Sequence, residues 1–152
     1  MKKTFFIIIT ILFFIAIYFV GCSREGVNQQ ALISEYVKNN QTTLLKIIKE
    51  INFNEEIKEN EIIEKLPKGI KILDVYKTSK NSIEFDVGEG FISSSHYYGF
   101  YYTSKDVPLA AGIEDKRLKK GGNGYRIQEE GKEDWYYTEK IVDNFYFYEE
   151  HY

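Results

Sequence analysis

Residues 96–103 read HYYGFYYT, and their composition decides the class of fold. Aromatic side chains suit the pleated, half-buried surface of a strand. Alternate positions place His96, Tyr98, Phe100 and Tyr102 on one face and Tyr97, Gly99 and Tyr101 on the other, and neither face is plainly polar. The same signal returns near the C-terminus, where Trp135, Tyr137, Ile141, Phe145 and Phe147 alternate with Tyr136, Val142, Tyr146 and Tyr148. A bend near Asp143 and Asn144 would divide that stretch into two strands. The first face carries the phenylalanines and is expected to meet the core. The second is expected to turn tyrosine hydroxyls toward water or a partner. Of the 19 aromatic residues that follow residue 21, 14 lie between Tyr97 and Tyr152, which separates a helical front from a sheet-forming back.

Working upstream, Ser82 to Val87 alternates Ile83, Phe85 and Val87 against Glu84 and Asp86, the pattern of a strand with an inside and an outside. Ile70 to Lys77 sets Ile70, Ile72 and Tyr76 against Leu73 and Val75, and the turn at Ser79 to Ser82 makes the two segments a hairpin. Gly88 and Gly90 end it, before a polar loop at Ser93 to Ser95. Further back, Leu32, Ile33, Tyr36 and Val37, then Leu44, Leu45, Ile47, Ile48 and Ile51, follow helical spacing. The polar run Asn39 to Thr43 allows one long helix with a weak middle or two helices meeting near Asn40. Asn54 is a natural N-cap, with Glu55 and Glu56 favourable at the positive end of the helix dipole. Ile57, Ile62, Ile63 and Leu66 then face inward until Pro67 and Gly69 stop the segment.

Downstream of the aromatic strand, Ser104 to Pro108 is a turn, Leu109 to Gly112 a small apolar patch, and Lys116 to Lys120 a basic run. The glycine-rich stretch Gly121 to Gly124 is a hairpin or loop tip before a short strand at Tyr125 to Gln128. The expected fold is therefore α+β, with N-terminal helices packed on a mostly antiparallel β-sheet.

The first residues serve a different purpose. Lys2 and Lys3 precede a sixteen-residue run, Phe5 to Val20, in which Thr10 alone is polar, and Gly21 and Cys22 follow directly. That order is the order of an export signal, and the run is slightly short for a spanning helix, which needs about 20 apolar residues. Phe19, Val20, Gly21 and Cys22 resemble the lipobox of bacterial lipoproteins, with Phe19 where Leu is commonest. The resemblance implies cleavage between Gly21 and Cys22, a diacylglyceryl group on the Cys22 sulfur, and residence on the extracytoplasmic face of the cell membrane. Two acyl chains anchor stably where one does not. On this reading residues 1–21 are a signal peptide, 22–30 a tether, and 31–152 a single domain. Patterns such as YYGFYY and WYYTEKI in the back half are similar to those of small exported proteins of low-GC Gram-positive bacteria, and no activity comes with that resemblance.

Cys22 is the sole cysteine, so the fold has no internal disulfide and depends on its core. Loss of Lys2 and Lys3 from 20 basic residues, against 23 acidic ones, leaves a formal charge of about −5, which gives no electrostatic case for nucleic acid. Ser93, Ser94, Ser95 and His96 bring hydroxyls and an imidazole together, but adjacent positions seldom aim at one carbonyl, and no G-x-S-x-G elbow is present. Glu84, Asp86 and Glu89 could pair for acid and base work, but the solvated face of a strand is the expected reading. Two histidines without zinc-type spacing give no metal site, and Lys119 and Lys120 lack the order of a phosphate loop. Neither a cofactor nor a catalytic residue is expected. What remains is recognition, with Tyr97, Tyr101, Tyr136, Tyr146 and Tyr148 as candidate partner surface, since tyrosine offers flat area and one hydroxyl at low entropic cost. The expected function is a non-catalytic binding module for a protein or cell-wall partner; alternatives are an immunity or inhibitor protein against a surface-acting toxin or hydrolase, and a small hydrolase.

Overall fold

A computed structural model describes residues 29–51, 58–88 and 96–152. The leader, Cys22, Asn54, Ile57, Glu89 and Ser93 to Ser95 lie outside the described residues. The chain divides into two compact units, Met1–Ala31 and Leu32–Tyr152, and of the first only residues 29–31 are described. Among the described residues, no helix is long and apolar enough to cross a membrane.

The front is one continuous helix, α1, at residues 29–50, so the polar run at Asn39 to Thr43 does not break it. Ile33, Tyr36, Val37, Leu44, Ile47 and Ile48 are buried, a stripe at i, i+3 and i+4 spacing. Asn40 occupies the gap in that stripe, and its side-chain amide donates to the Tyr36 carbonyl at 2.8 Å, so the polar group is satisfied within the helix. A short second helix, α2 (Glu59–Ile63), buries Ile62. The Tyr36 hydroxyl donates to the Pro67 carbonyl at 2.8 Å and ties α1 to the chain leaving α2.

Seven strands follow among the described residues: β1 (Ile72–Ser79), β2 (Ser82–Val87), β3 (His96–Thr103), β4 (Lys119–Gly121), β5 (Gly124–Gln128), β6 (Trp135–Val142) and β7 (Phe145–His151). They form one antiparallel sheet in the order β1-β2-β3-β7-β6-β5-β4. The fold is thus α+β with most of its regular structure in the sheet. Two meanders meet where β3, the HYYGFYYT stretch, pairs with β7. On the first face, Val75, Ile83, Phe85, Val87, Phe100, Phe145 and Phe147 join the buried residues of α1 and α2 in one core. Phe85 and Phe100 stack there with ring centroids 4.5 Å apart, a pairing worth about 0.5–1.5 kcal/mol beyond the area it buries.

Two parities differ from simple alternation, and a bulge explains each. Between Ile72 and Asp74 the register steps two residues on β1 against one on β2, so Ile72 and Val75 both pack against the first-face core and Leu73 is left 49% exposed. A second irregularity between Lys140 and Val142 turns Val142 to the side of Phe145, not that of the tyrosines. The β6–β7 hairpin closes at Asn144, whose φ of 68° suits an asparagine. Its side-chain amide donates to the Thr103 carbonyl at 2.8 Å, and its backbone N–H donates to Asp106 Oδ1 at 2.8 Å.

Candidate functional site

β3 sits inside the sheet, beside the central β7, and β4 at its far edge, so residues 104–118 must cross a face of the sheet to connect them. They cross the second face, where Leu109 and Ala110 pack with Tyr101, Tyr136, Tyr146 and Tyr148, flanked by Val107, Leu118 and Ile127. Each phenol beneath the loop meets polar atoms. The Leu109 N–H donates to the Tyr101 hydroxyl at 2.8 Å, that hydroxyl lies 2.8 Å from Thr138 Oγ1, and Thr138 Oγ1 donates to the Phe147 carbonyl at 2.8 Å. The Tyr146 hydroxyl donates to the Asp106 carbonyl at 2.9 Å. At its far turn the loop meets the β1–β2 hairpin: a Cβ at Gly112, φ 76°, would lie 2.0 Å from Thr78 Cβ.

This corrects the expected tyrosine surface. Tyr101, Tyr136, Tyr146 and Tyr148 retain 2%, 9%, 3% and 1% of their exposure, whereas Tyr97 keeps 48%. The sequence showed the alternation but not the loop that covers it. Because the loop hangs on these hydroxyls, Tyr101→Phe is expected to destabilise the fold by about 1–3 kcal/mol, the cost of leaving the buried Leu109 N–H without its acceptor. Equilibrium denaturation of the two proteins measures that difference.

Past the loop, the second face turns acidic. Glu84 is 5% exposed, so the expectation of a solvated strand face is overturned there: β2 has neighbours on both sides, and tyrosines close over it. Its register partners are Tyr76 on β1 and Tyr101 on β3. The Tyr76 hydroxyl donates to Asp86 Oδ1 at 2.8 Å and approaches Glu84 Oε1 at 3.3 Å. The Tyr148 side chain reaches from β7 across Gly99 of β3, and its hydroxyl donates to the same Asp86 oxygen. Burial pushes the Glu84 carboxyl up to about 7, and the negative charges of Glu150 and Asp86 push it the same way. Burial likewise raises Glu150, while the Tyr152 hydroxyl, donating to Glu150 Oε2 at 2.7 Å, opposes the rise.

The accessible edge of this acidic patch is aromatic. Tyr97 and Tyr152 meet edge to face with ring centroids 5.9 Å apart, and Tyr152 is 65% exposed. Tyr97 pairs in register with Glu150, so two accessible rings flank a carboxylate, with Glu84 and Asp86 deeper in the face. Of the tyrosines singled out from sequence, Tyr97 alone belongs to this edge, and Glu150 and Tyr152 were missed. No sequence signal marked them, because Glu150 meets the start of β3 only through the β3–β7 pairing and Tyr152 follows the end of β7. His96 lies at the start of β3 opposite His151, on the other face of the sheet. Lys119 and Lys120 are exposed on β4. Comparison with protein-family models, curated proteins and solved structures finds no match for this chain.

Proposed function

We propose that this chain is a lipid-anchored extracytoplasmic lipoprotein, held to the cell membrane through a diacylglyceryl group on Cys22, and that its α+β domain is a non-catalytic binding module for a protein or cell-wall partner. The sequence Gly21-Cys22 after an apolar run supports the anchor. The observation that carries the binding half is the edge formed by Tyr97, Glu150 and Tyr152. Accessible aromatic rings beside carboxylates are suited to amino groups on an apolar stem, which gain ring contact and charge pairing together. With residues 22–30 read as a tether of at most about 30 Å, the domain stays close to the bilayer, and the partner is one met there.

Two measurements on the full chain test the two halves. Cys22→Ser should move the protein from the membrane to the soluble fraction; unchanged fractionation would remove the anchor. Crosslinking and pull-down from detergent-solubilised envelopes should capture a partner that Tyr97→Ala with Tyr152→Ala loses. Retention of that partner by the double variant would place binding elsewhere. If the partner proves to be an exported toxin or hydrolase, the module acts as an immunity or inhibitor protein.

A further inference from the structure

The sheet brings together the chain's two histidines, which stand 55 residues apart in sequence. His96 on β3 and His151 on β7 are register partners, both half-buried, with ring centroids 4.3 Å apart and planes at 64°. Trp135 on β6 is the register partner of His151 on its other side and stacks on it at 6.0 Å. From this geometry we infer that His96 and His151 form a binding site for a borderline divalent metal ion that imidazole ligands favour, Ni(II) or Cu(II).

The distance permits one shared ion. A metal held at 2.0–2.1 Å by an imidazole nitrogen lies about 3.2 Å from that ring's centroid. Two rings on one ion therefore have centroids at most about 6.4 Å apart, and the observed 4.3 Å is within that reach. Among the ions that imidazole suits, affinity rises through nickel(II) to copper(II). A second feature orients one ligand. His151 Nδ1 lies 3.2 Å from the Glu133 carbonyl, which can only accept; Nδ1 is therefore the protonated nitrogen, and the Nε2 lone pair is left for a metal. Arg126, whose guanidinium lies 4.8 Å over the Trp135 ring, and Glu149, two positions before His151, bring opposite charges to the neighbourhood. Among the described residues no group of three or more His, Cys, Asp or Glu is placed to hold a metal, so the protein supplies two ligands and water the rest.

The test uses a built-in reporter, because Trp135 is the chain's one tryptophan. The full chain, without a polyhistidine tag and carrying Cys22→Ser so that no thiol competes, is titrated with nickel(II) chloride in detergent. Saturable quenching of Trp135 fluorescence at one equivalent, reversed by EDTA, is expected. His96→Gln and His151→Gln should each weaken the apparent affinity at least tenfold. Equal affinity in the parent and either variant would overturn the site. Electron paramagnetic resonance of the unsubstituted histidine pair loaded with copper(II) provides a readout that needs no histidine variant: two equatorial imidazole nitrogens are expected, and one or none would refute the inference.

Discussion

Gly99→Ala is expected to destabilise the protein by about 3–5 kcal/mol, against an intrinsic preference that would favour alanine in a strand by about 0.5–1 kcal/mol. The sign is decided by space. A Cβ at Gly99 would lie 2.3 Å from the Phe85 carbonyl oxygen, which is backbone held in the β2–β3 ladder and has no freedom to withdraw. It would also lie 2.5 Å from Tyr148 Cε1 and 2.7 Å from its Cζ. Tyr148 is 1% exposed and crosses Gly99 to donate its hydroxyl to Asp86, so moving the ring breaks that bond as well. Overpacking alone costs about 1–3 kcal/mol, and the orphaned buried polar group adds about as much. Denaturant titration of the two proteins under the same conditions checks this, and a loss below about 1 kcal/mol would mean that the ring and β2 shift freely. Binding should report the same change, since the displaced ring belongs to the face that ends in Tyr97, Glu150 and Tyr152.

The frame of the molecule was legible because its signals are periodic. The stripe from Ile33 to Ile48, the hairpin about Ser79 to Ser82, and the aromatic runs at His96 to Thr103 and Trp135 to Tyr148 all fold as their spacing indicates. The weak middle of α1 held because one asparagine amide can satisfy itself on the preceding turn. Side-chain directions failed where periodicity itself fails, at the bulges beside Ile72 and Lys140, since one extra residue turns everything after it to the other face. The larger error concerned the second face. Tyr101, Tyr136, Tyr146 and Tyr148 looked like a surface because residues 104–118 carry no periodicity, yet Val107, Leu109, Ala110 and Leu118 within them are the apolar side of a cover. A connection of that length between strands needs a reason, and here the reason is burial. The edge at Glu150 and Tyr152 and the histidine pair were not readable from the chain, because both arise from the β3–β7 pairing, which joins segments more than 40 residues apart.

Glu84→Gln should stabilise the protein at pH 8 by about 3 kcal/mol and leave it nearly unchanged near pH 4.5, so the stability difference between the two proteins is itself a titration curve. The folded-state carboxyl titrates at about 7, raised from its ordinary 4.5 first by burial and then by the charges of Glu150 and Asp86. Between those two pH values the folded protein holds a proton that the unfolded chain has released. Stability is therefore lost as pH rises through that window, by about 1.4 kcal/mol per pH unit, and the loss is complete above the folded-state value. Glutamine keeps the shape and the oxygen that Tyr76 approaches, and it has no charge to desolvate. Denaturant unfolding at several pH values between 4.5 and 8.5 measures the difference, and a constant offset across that range would show that Glu84 is solvated in the native state. The same group connects stability to binding. A cationic partner seated between Tyr97 and Tyr152 adds positive charge close to Glu150 and lowers the cost of ionising Glu84, so it should bring the titration back toward 4.5 and restore part of the stability lost near neutral pH. By linkage, such a partner binds more tightly as pH rises from 6 to 8, because a deprotonated Glu84 strengthens the field it meets. A partner whose affinity instead falls over that interval would have to dock away from the acidic face.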